Sequence, residues 1–254
     1  MSTLAAEVPS LNNLFDFQPF NDNALGVTWV VLAMAIAFAL ACLTMFVCFR
    51  KTEVVPGRAQ VIGESIVGFV RNNIAEEVIG HDGVRYVPYL LTTFLMIFFF
   101  NFMEVFPGIA FPPTSKIAVP LFFAVVAWLV FNIEGIRKNG AGTYFKGILF
   151  PPGVPKALYI LLTPIEFLST MVIRPITLTL RLTFNMLAGH LILTLLTVLA
   201  ASVWAASPKA FALPPVIIIG VLLTGFEMFV GFLQAFIFTT LTALYIGGAV
   251  HPEH

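Results

Sequence analysis

Five apolar stretches constrain this chain more than any other feature: Val27–Phe49, Tyr86–Phe106, Ile117–Ile133, Ala157 to about Ala206, and Pro215 to about Tyr245. A helix crosses a bilayer with roughly 20 such residues. Of the 254 residues, 59% are hydrophobic and only 10% are charged, too few for the polar skin of a soluble domain this size. The net charge is zero, so no global field draws in nucleic acid, and none is expected as a partner. The expectation is an all-α membrane protein, one multi-span helical bundle in contact with lipid.

The segments between the spans are of different kinds. Residues 1–26 carry Glu7, Asp16 and Asp22 but no Lys or Arg, unlike the basic start of a signal peptide, and are read as a retained acidic tail. In the segment 57–80, Ile62, Ile66, Val70, Ile74 and Val78 recur every four residues, with Glu64, Arg71, Asn72, Glu76 and Glu77 between them. That pattern predicts an amphipathic helix on the membrane surface, closed by Gly80. A turn follows at His81-Asp82-Gly83. Cys42 and Cys48 point about 120° apart on a helix, so no bridge between them is expected.

Basic residues near span ends set the orientation. Arg50, Lys51, Arg58, Arg71 and Arg85 flank one side of the first two spans, and Arg137, Lys138, Lys146 and Lys156 fill the loop 135–156. The other side has only Lys116 and Lys209. The N-terminus is therefore expected outside, with the loop 135–156 cytoplasmic and ended by the rigid break Pro151–Pro155. The segment 27–156 is thus read as three spans with their surface helix and loop, and 157–254 as a separate long-helix region.

In that region Pro164 and Pro175 divide the first apolar segment, which predicts a short helix folding back before a long one starts near Arg174. From Arg174 to Val203 a helix would rise about 45 Å, against a hydrocarbon core of about 30 Å. Two long, strongly tilted or bent helices, side by side, are expected.

Ionisable groups at membrane depth are functional suspects, because each is expensive to place there. Arg181, His190 and Glu227 qualify, and Gln234 joins them as a buried amide. For Arg181 the bland alternative is snorkelling to the interface; for His190 it is helix packing. Glu227 is short for snorkelling and has no basic residue on its own segment. Arg174, Arg181 and Asn185 share one helix face within about 40°. If Arg181 stands level with Gln234 on antiparallel helices, His190 lies about 13.5 Å and Glu227 about 10.5 Å toward the same side. His190 is about 180° round from Arg181, so each faces something different.

The run Arg174-Pro-Ile-Thr-Leu-Thr-Leu-Arg181-Leu-Thr-Phe-Asn185-Met-Leu-Ala-Gly-His190 resembles the signature of the a subunits of rotary ATP synthases. Leu233-Gln234-Ala235-Phe236-Ile237-Phe238, with Tyr245 beyond it, resembles their last-helix motif. The likeness covers roughly residues 86–250 and departs at Thr183-Phe184, where many members read Phe-Gly before the Asn. It implies that Arg181 is the family's essential arginine, facing a ring of small c-type hairpin subunits. It implies proton-transfer or ring-contact roles for Asn185, His190, Glu227 and Gln234. Glu166 and Tyr245 would lie near the cytoplasmic exit, and Glu104 and Asn101 either border the outer entrance or sit as interfacial groups. The implied partners include b-type peripheral stalk subunits and the other ATP synthase subunits, and the implied location is a bacterial plasma membrane.

Other chemistry finds little support. Gly140–Gly147 lacks the spacing of a phosphate-binding loop, and no His, Cys or carboxylate cluster has metal-ligand spacing, so no cofactor or metal is expected. Any ATP chemistry is expected on another subunit. The rival reading is a secondary transporter with a buried Arg/Glu site, but such folds show internal repeats, and the two halves here are dissimilar.

Overall fold

Hydrocarbon offers no hydrogen-bond partner, so a spanning backbone must pair within itself, and an apolar run in lipid becomes a helix. The structure, a computed structural model, describes residues 29–50, 53–106, 112–150, 158–205 and 213–250, with no strand among the described residues. Its helices are α1 (Trp29–Phe49), α2 (Arg58–Val70), α3 (Val87–Phe102), α4 (Ala118–Asn139), α5 (Ala141–Leu149), α6 (Tyr159–Leu168), α7 (Arg174–Ala205) and α8 (Leu213–Val250). Five helical stretches among them are long and apolar enough to cross a membrane, as the sequence predicted. The acidic tail at 1–26 and the proline break at 151–155 lie outside the described residues.

α8 is the hub, packed against α3, α4 and α7, while α1 leans on α2 and α3. Helices in lipid associate through close packing of small residues. On α1 that role falls to Ala33, Ala37 and Ala41, all buried at four-residue spacing. At the centre, Phe94 of α3 meets Phe69 of α2 and Phe232 of α8, both with ring centroids 5.8 Å away. The first contact is tilted and the second edge-on, geometries that aromatic quadrupoles favour. Cys42 and Cys48 are both free, as their spacing requires.

The amphipathic segment forms, Gly80 closes it with φ 88, and Val70 and Ile74 of the four-residue pattern are fully buried, while the pattern departs at both ends. After Val70 the helix passes through a π-helical stretch, Arg71–Glu76, before a last turn, Glu77–Ile79. The wider turn rotates the residues beyond it, so Ile79 is buried and Val78 only half-buried. At the other end Ile62 is 58% exposed, and Gly63 takes the buried place against Cys48 and Phe49. The turn at His81–Gly83 is a 3-10 helix, His81–Tyr86. Within the stretch read as a cytoplasmic loop the structure adds α5, set off from α4 by Gly140 at φ 77. Lys138 pairs with Asp82, and Arg85 and Arg137 share Glu134, so much of the basic end of the bundle is tied together.

The expected fold-back before Arg174 does not occur. α6 continues through a π-helical stretch, Ser169–Ile173, directly into α7. There the Arg174 N–H donates to the Ser169 carbonyl, five residues back. Pro175 would normally crowd the preceding turn, and the wider π turn gives its ring room without ending the helix. α7, with 32 residues, and α8, with 38, pack side by side. They rise about 48 Å and about 57 Å, well beyond a hydrocarbon core of about 30 Å.

Candidate functional site

The α7–α8 pair carries most of the suspect residues, and two contacts fix its register. Gly189 of α7 lies so close to Glu227 of α8 that a Cβ there would come within 2.2 Å of Glu227 Oε2. A Cβ on Gly220 would touch Leu196 at 3.2 Å. Continued along the antiparallel pair, this register sets Arg181 opposite Ala235, beside Gln234. The level assumed from sequence therefore holds.

One face of α7 is an exposed seam: Thr177, Arg181, Phe184, Ala188, Ile192, Leu195 and Leu199 follow one another at three- or four-residue steps. Arg181 is the single charge on it. None of the ion pairs or hydrogen bonds among the described residues involves its guanidinium. Arginine does not give up its proton at any physiological pH. A permanent, unpaired cation on an apolar helix face calls for an anion from outside the chain.

Behind the seam the polar groups turn inward. Asn185 Nδ2 donates to Gln234 Oε1 at 3.3 Å, joining α7 to α8, while Gln234 Nε2 is buried with no partner among the described residues. Toward the end of the bundle opposite the basic one, Glu104 and His190 line a cavity of about 290 Å³, with Thr194, Thr197 and Thr224. That is room for several waters. Glu104 is 6% exposed and its Oε1 lacks a hydrogen-bond partner among the described residues. Glu227, 7% exposed, lies against Gly189, the residue before His190. Carboxylates so buried need a proton, a counter-charge or water. The structure thus brings together Glu104, His190 and Glu227, which the sequence placed on three separate segments.

Asn101 has a different part. Its Nδ2 donates to the Gly231 carbonyl at 3.0 Å, and its Oδ1 accepts from Thr114 Oγ1 at 2.7 Å. It locks α3 to α8 and holds the turn at Pro113–Ser115. Asn101→Ala leaves the buried Thr114 hydroxyl and the Gly231 carbonyl without this partner, an expected loss of about 1–3 kcal/mol. Thermal unfolding of the detergent-solubilised complex should show the loss, whereas an unchanged midpoint would make Asn101 an interfacial group only.

At the basic end, Tyr245 of α8 lies under the Arg174 guanidinium, 5.0 Å from ring centroid to charge, with Phe131 of α4 edge-on at 5.9 Å. Glu166, on α6, is half-buried two helical turns before Arg174. The structure therefore separates the suspects into the Arg174–Tyr245 contact at the basic end, an exposed cation, and a carboxylate–histidine cluster toward the other end. Sequence reasoning missed Gly189, Thr114 and Tyr144. Gly189 alone had a readable signal, since a glycine beside a histidine at mid-helix marks a close approach.

Against known proteins, the family model described as "ATP synthase A chain" matches residues 27–247. A protein named ATP synthase subunit a from Frankia alni is 45% identical over 208 residues, which is 81% of this chain and 72% of the relative. One of the same name from a Nocardioides species is 37% identical, covering 98% of this chain and 91% of the relative. Another, from Rhodococcus erythropolis, is 36% identical across 100% of this chain and 94% of its own length. This similarity spans both clusters and the seam and leaves no support for the transporter reading.

Proposed function

This chain belongs to the ATP synthase A chain family, and from that premise we propose that it is the stator subunit providing two offset proton half-channels, with Arg181 separating them. The family is the membrane, proton-translocating and non-catalytic component of ATP synthase, so ATP chemistry resides on other subunits. The observation that carries the finer reading is Arg181, a cation unpaired among the described residues and standing in the middle of an exposed apolar seam. A rotating ring of c-type hairpins, each bearing one carboxyl, is the partner that such a seam accommodates.

On this reading a proton enters beside Glu104, passes His190 and Glu227, and neutralises a ring carboxylate. The neutral site turns into lipid at tolerable cost, which a charged one could not do. After nearly a full turn the carboxyl approaches Arg181 from the other side and releases its proton toward Glu166 and Tyr245. Asn185 and Gln234, joined behind the ring-facing seam, separate the two paths. Arg181 favours the ionised ring site and repels any proton passing straight through.

Magnitudes are compatible with turnover. A neighbouring arginine lowers a carboxyl pKa by about 1–3 units, or about 1.4–4 kcal/mol. One charge crossing 100 mV is worth about 2.3 kcal/mol. Release can thus be forced without trapping the ring.

The chain is a multi-pass membrane protein. An odd number of spans would put its ends on opposite sides, and the basic residues favour an outer N-terminus and a cytoplasmic C-terminus in a bacterial plasma membrane. Length in excess of the core favours strong tilt of α7 and α8 along the ring. Cysteines placed at Ala188 or Ile192 should cross-link to a c-type hairpin in the purified complex, and one at Phe122, on the exposed face of α4, should not. Cross-linking from Phe122 alone would place the ring elsewhere and defeat the assignment.

A further inference from the structure

We infer that Arg174 is a positioning residue for the inner half-channel, acting through the ring of Tyr245 and not through a carboxylate. The inference rests on the half-channel reading above. Its starting point is the company that Arg174 keeps. Arg85, Arg137 and Lys138, at the same end of the bundle, all pair with carboxylates. Arg174 has no ion pair among the described residues and lies instead over the Tyr245 ring. A ring face holds a guanidinium in place without cancelling its charge, whereas a carboxylate would neutralise it. Arg174 therefore remains a fixed positive charge, about 10.5 Å along α7 from Arg181 and within about 20° of the same face.

The ring that holds this cation is itself held from a further helix. Tyr245 comes from α8, and its ring is wedged by Phe131 of α4, which is 1% exposed. From α5, Tyr144 donates its hydroxyl to Asn132 Oδ1 at 3.1 Å. The Tyr144 ring presses on Gly135 so closely that a Cβ there would come within 2.4 Å of it. Burial pushes the Tyr144 phenol above its ordinary pKa, and the Arg174 charge pulls it back, so the charge reaches α5 as well. Tyr245 is held differently from Tyr144. Its hydroxyl makes no hydrogen bond among the described residues, so ring contacts alone set its direction. The guanidinium lies over the ring and Phe131 meets it at a steep angle, so these two contacts aim the half-buried phenol. Without Arg174 the ring loses one wall, and the hydroxyl is no longer held in one place.

ATP-driven acidification of vesicles carrying the whole complex, scaled to assembled complex, tests this. Arg174→Gln should slow acidification roughly 3- to 30-fold, the range that a partly desolvated cation–π contact spans. Tyr245→Leu should slow it comparably, and the double variant should be no slower than the slower single one. Arg174→Lys should restore most of the rate, because an ammonium still binds the ring face. Arg174→Gln should slow acidification without a matching drop in the thermal midpoint of the whole complex, which a merely structural role would not allow. Additive losses, a wild-type rate for Arg174→Gln, or a lysine variant no better than the glutamine one would each overturn the inference. If Arg174→Gln does not assemble, Arg174→Lys decides it: a rate within about threefold of wild type supports the positioning role, and a larger loss overturns it. None of these outcomes touches Arg181, so the half-channel reading stands or falls by its own measurement.

Discussion

Arg181→Ala is expected to abolish both proton-driven ATP synthesis and ATP-driven proton pumping while leaving the complex assembled. The side chain is exposed on the α7 seam, and Leu182 and Thr183, the buried neighbours that hold the helix in place, are untouched. Removing it should therefore leave packing intact and delete only the fixed charge. With that charge gone, nothing favours the ionised ring site at the seam and nothing blocks a proton leak between half-channels. Arg181→Lys should recover little, because an ammonium lacks the planar, always-charged fork that meets a carboxylate. Vesicles should show no ATP synthesis at any imposed gradient, with passive proton leak preserved or raised. Synthesis at wild-type rate from verified complexes of the alanine variant would refute the assigned role.

The second large effect belongs to Glu227 and the glycine that admits it. Glu227→Gln keeps the shape and a hydrogen-bonding group but removes proton exchange, so flux should fall at least about tenfold, the effect of about 1.4 kcal/mol on a barrier. Gly189→Ala should do nearly as much without touching a titratable group, because the added methyl would occupy the place of the carboxyl, 2.2 Å from Oε2. Shortening the acid should relieve that clash. Gly189→Ala combined with Glu227→Asp is expected to pump faster than Gly189→Ala alone. Proton uptake into vesicles, with assembly checked in each sample, measures all three. If the double variant is worse than either single one, the contact is ordinary packing and the Glu227 carboxyl has no path to serve.

His190 bears on the same path. Its bland alternative is helix packing, yet the structure sets it on the wall of a cavity that Glu104 shares. A histidine on that wall, beside Glu104 and three threonines, is where the proposed proton path would use it. Asn101 shows a second part. The sequence made it a candidate for the outer entrance, and the structure gives its amide to a lock between α3 and α8. One short polar side chain reads alike in both roles until its neighbours are known.

Much of the fold was legible because lipid allows so few answers. Apolar runs of spanning length had to be helices, Gly80 had to close the amphipathic segment, and the excess length of the last two helices came from counting residues. The face common to Arg174, Arg181 and Asn185 came from the helical repeat alone. Where the sequence misled, a proline or a spacing was taken at its usual value. Pro175 suggested a break, but a π turn absorbed it, and the four-residue apolar spacing before Gly80 ignored a second π turn at Arg71–Glu76. Such turns insert a residue without any residue type that announces them.

By itself the sequence determined that this protein lives in lipid, which groups could carry charge there, and which of them share a helix face. Each of those rests on one segment and its repeat. Tertiary structure alone decided that Glu104, His190 and Glu227 form one cluster, that Gly189 makes room for a carboxyl, and that Arg174 is held by an aromatic ring. Those contacts depend on how segments far apart in the chain cross, and in lipid that crossing is set by side-chain shape, which no single helix contains.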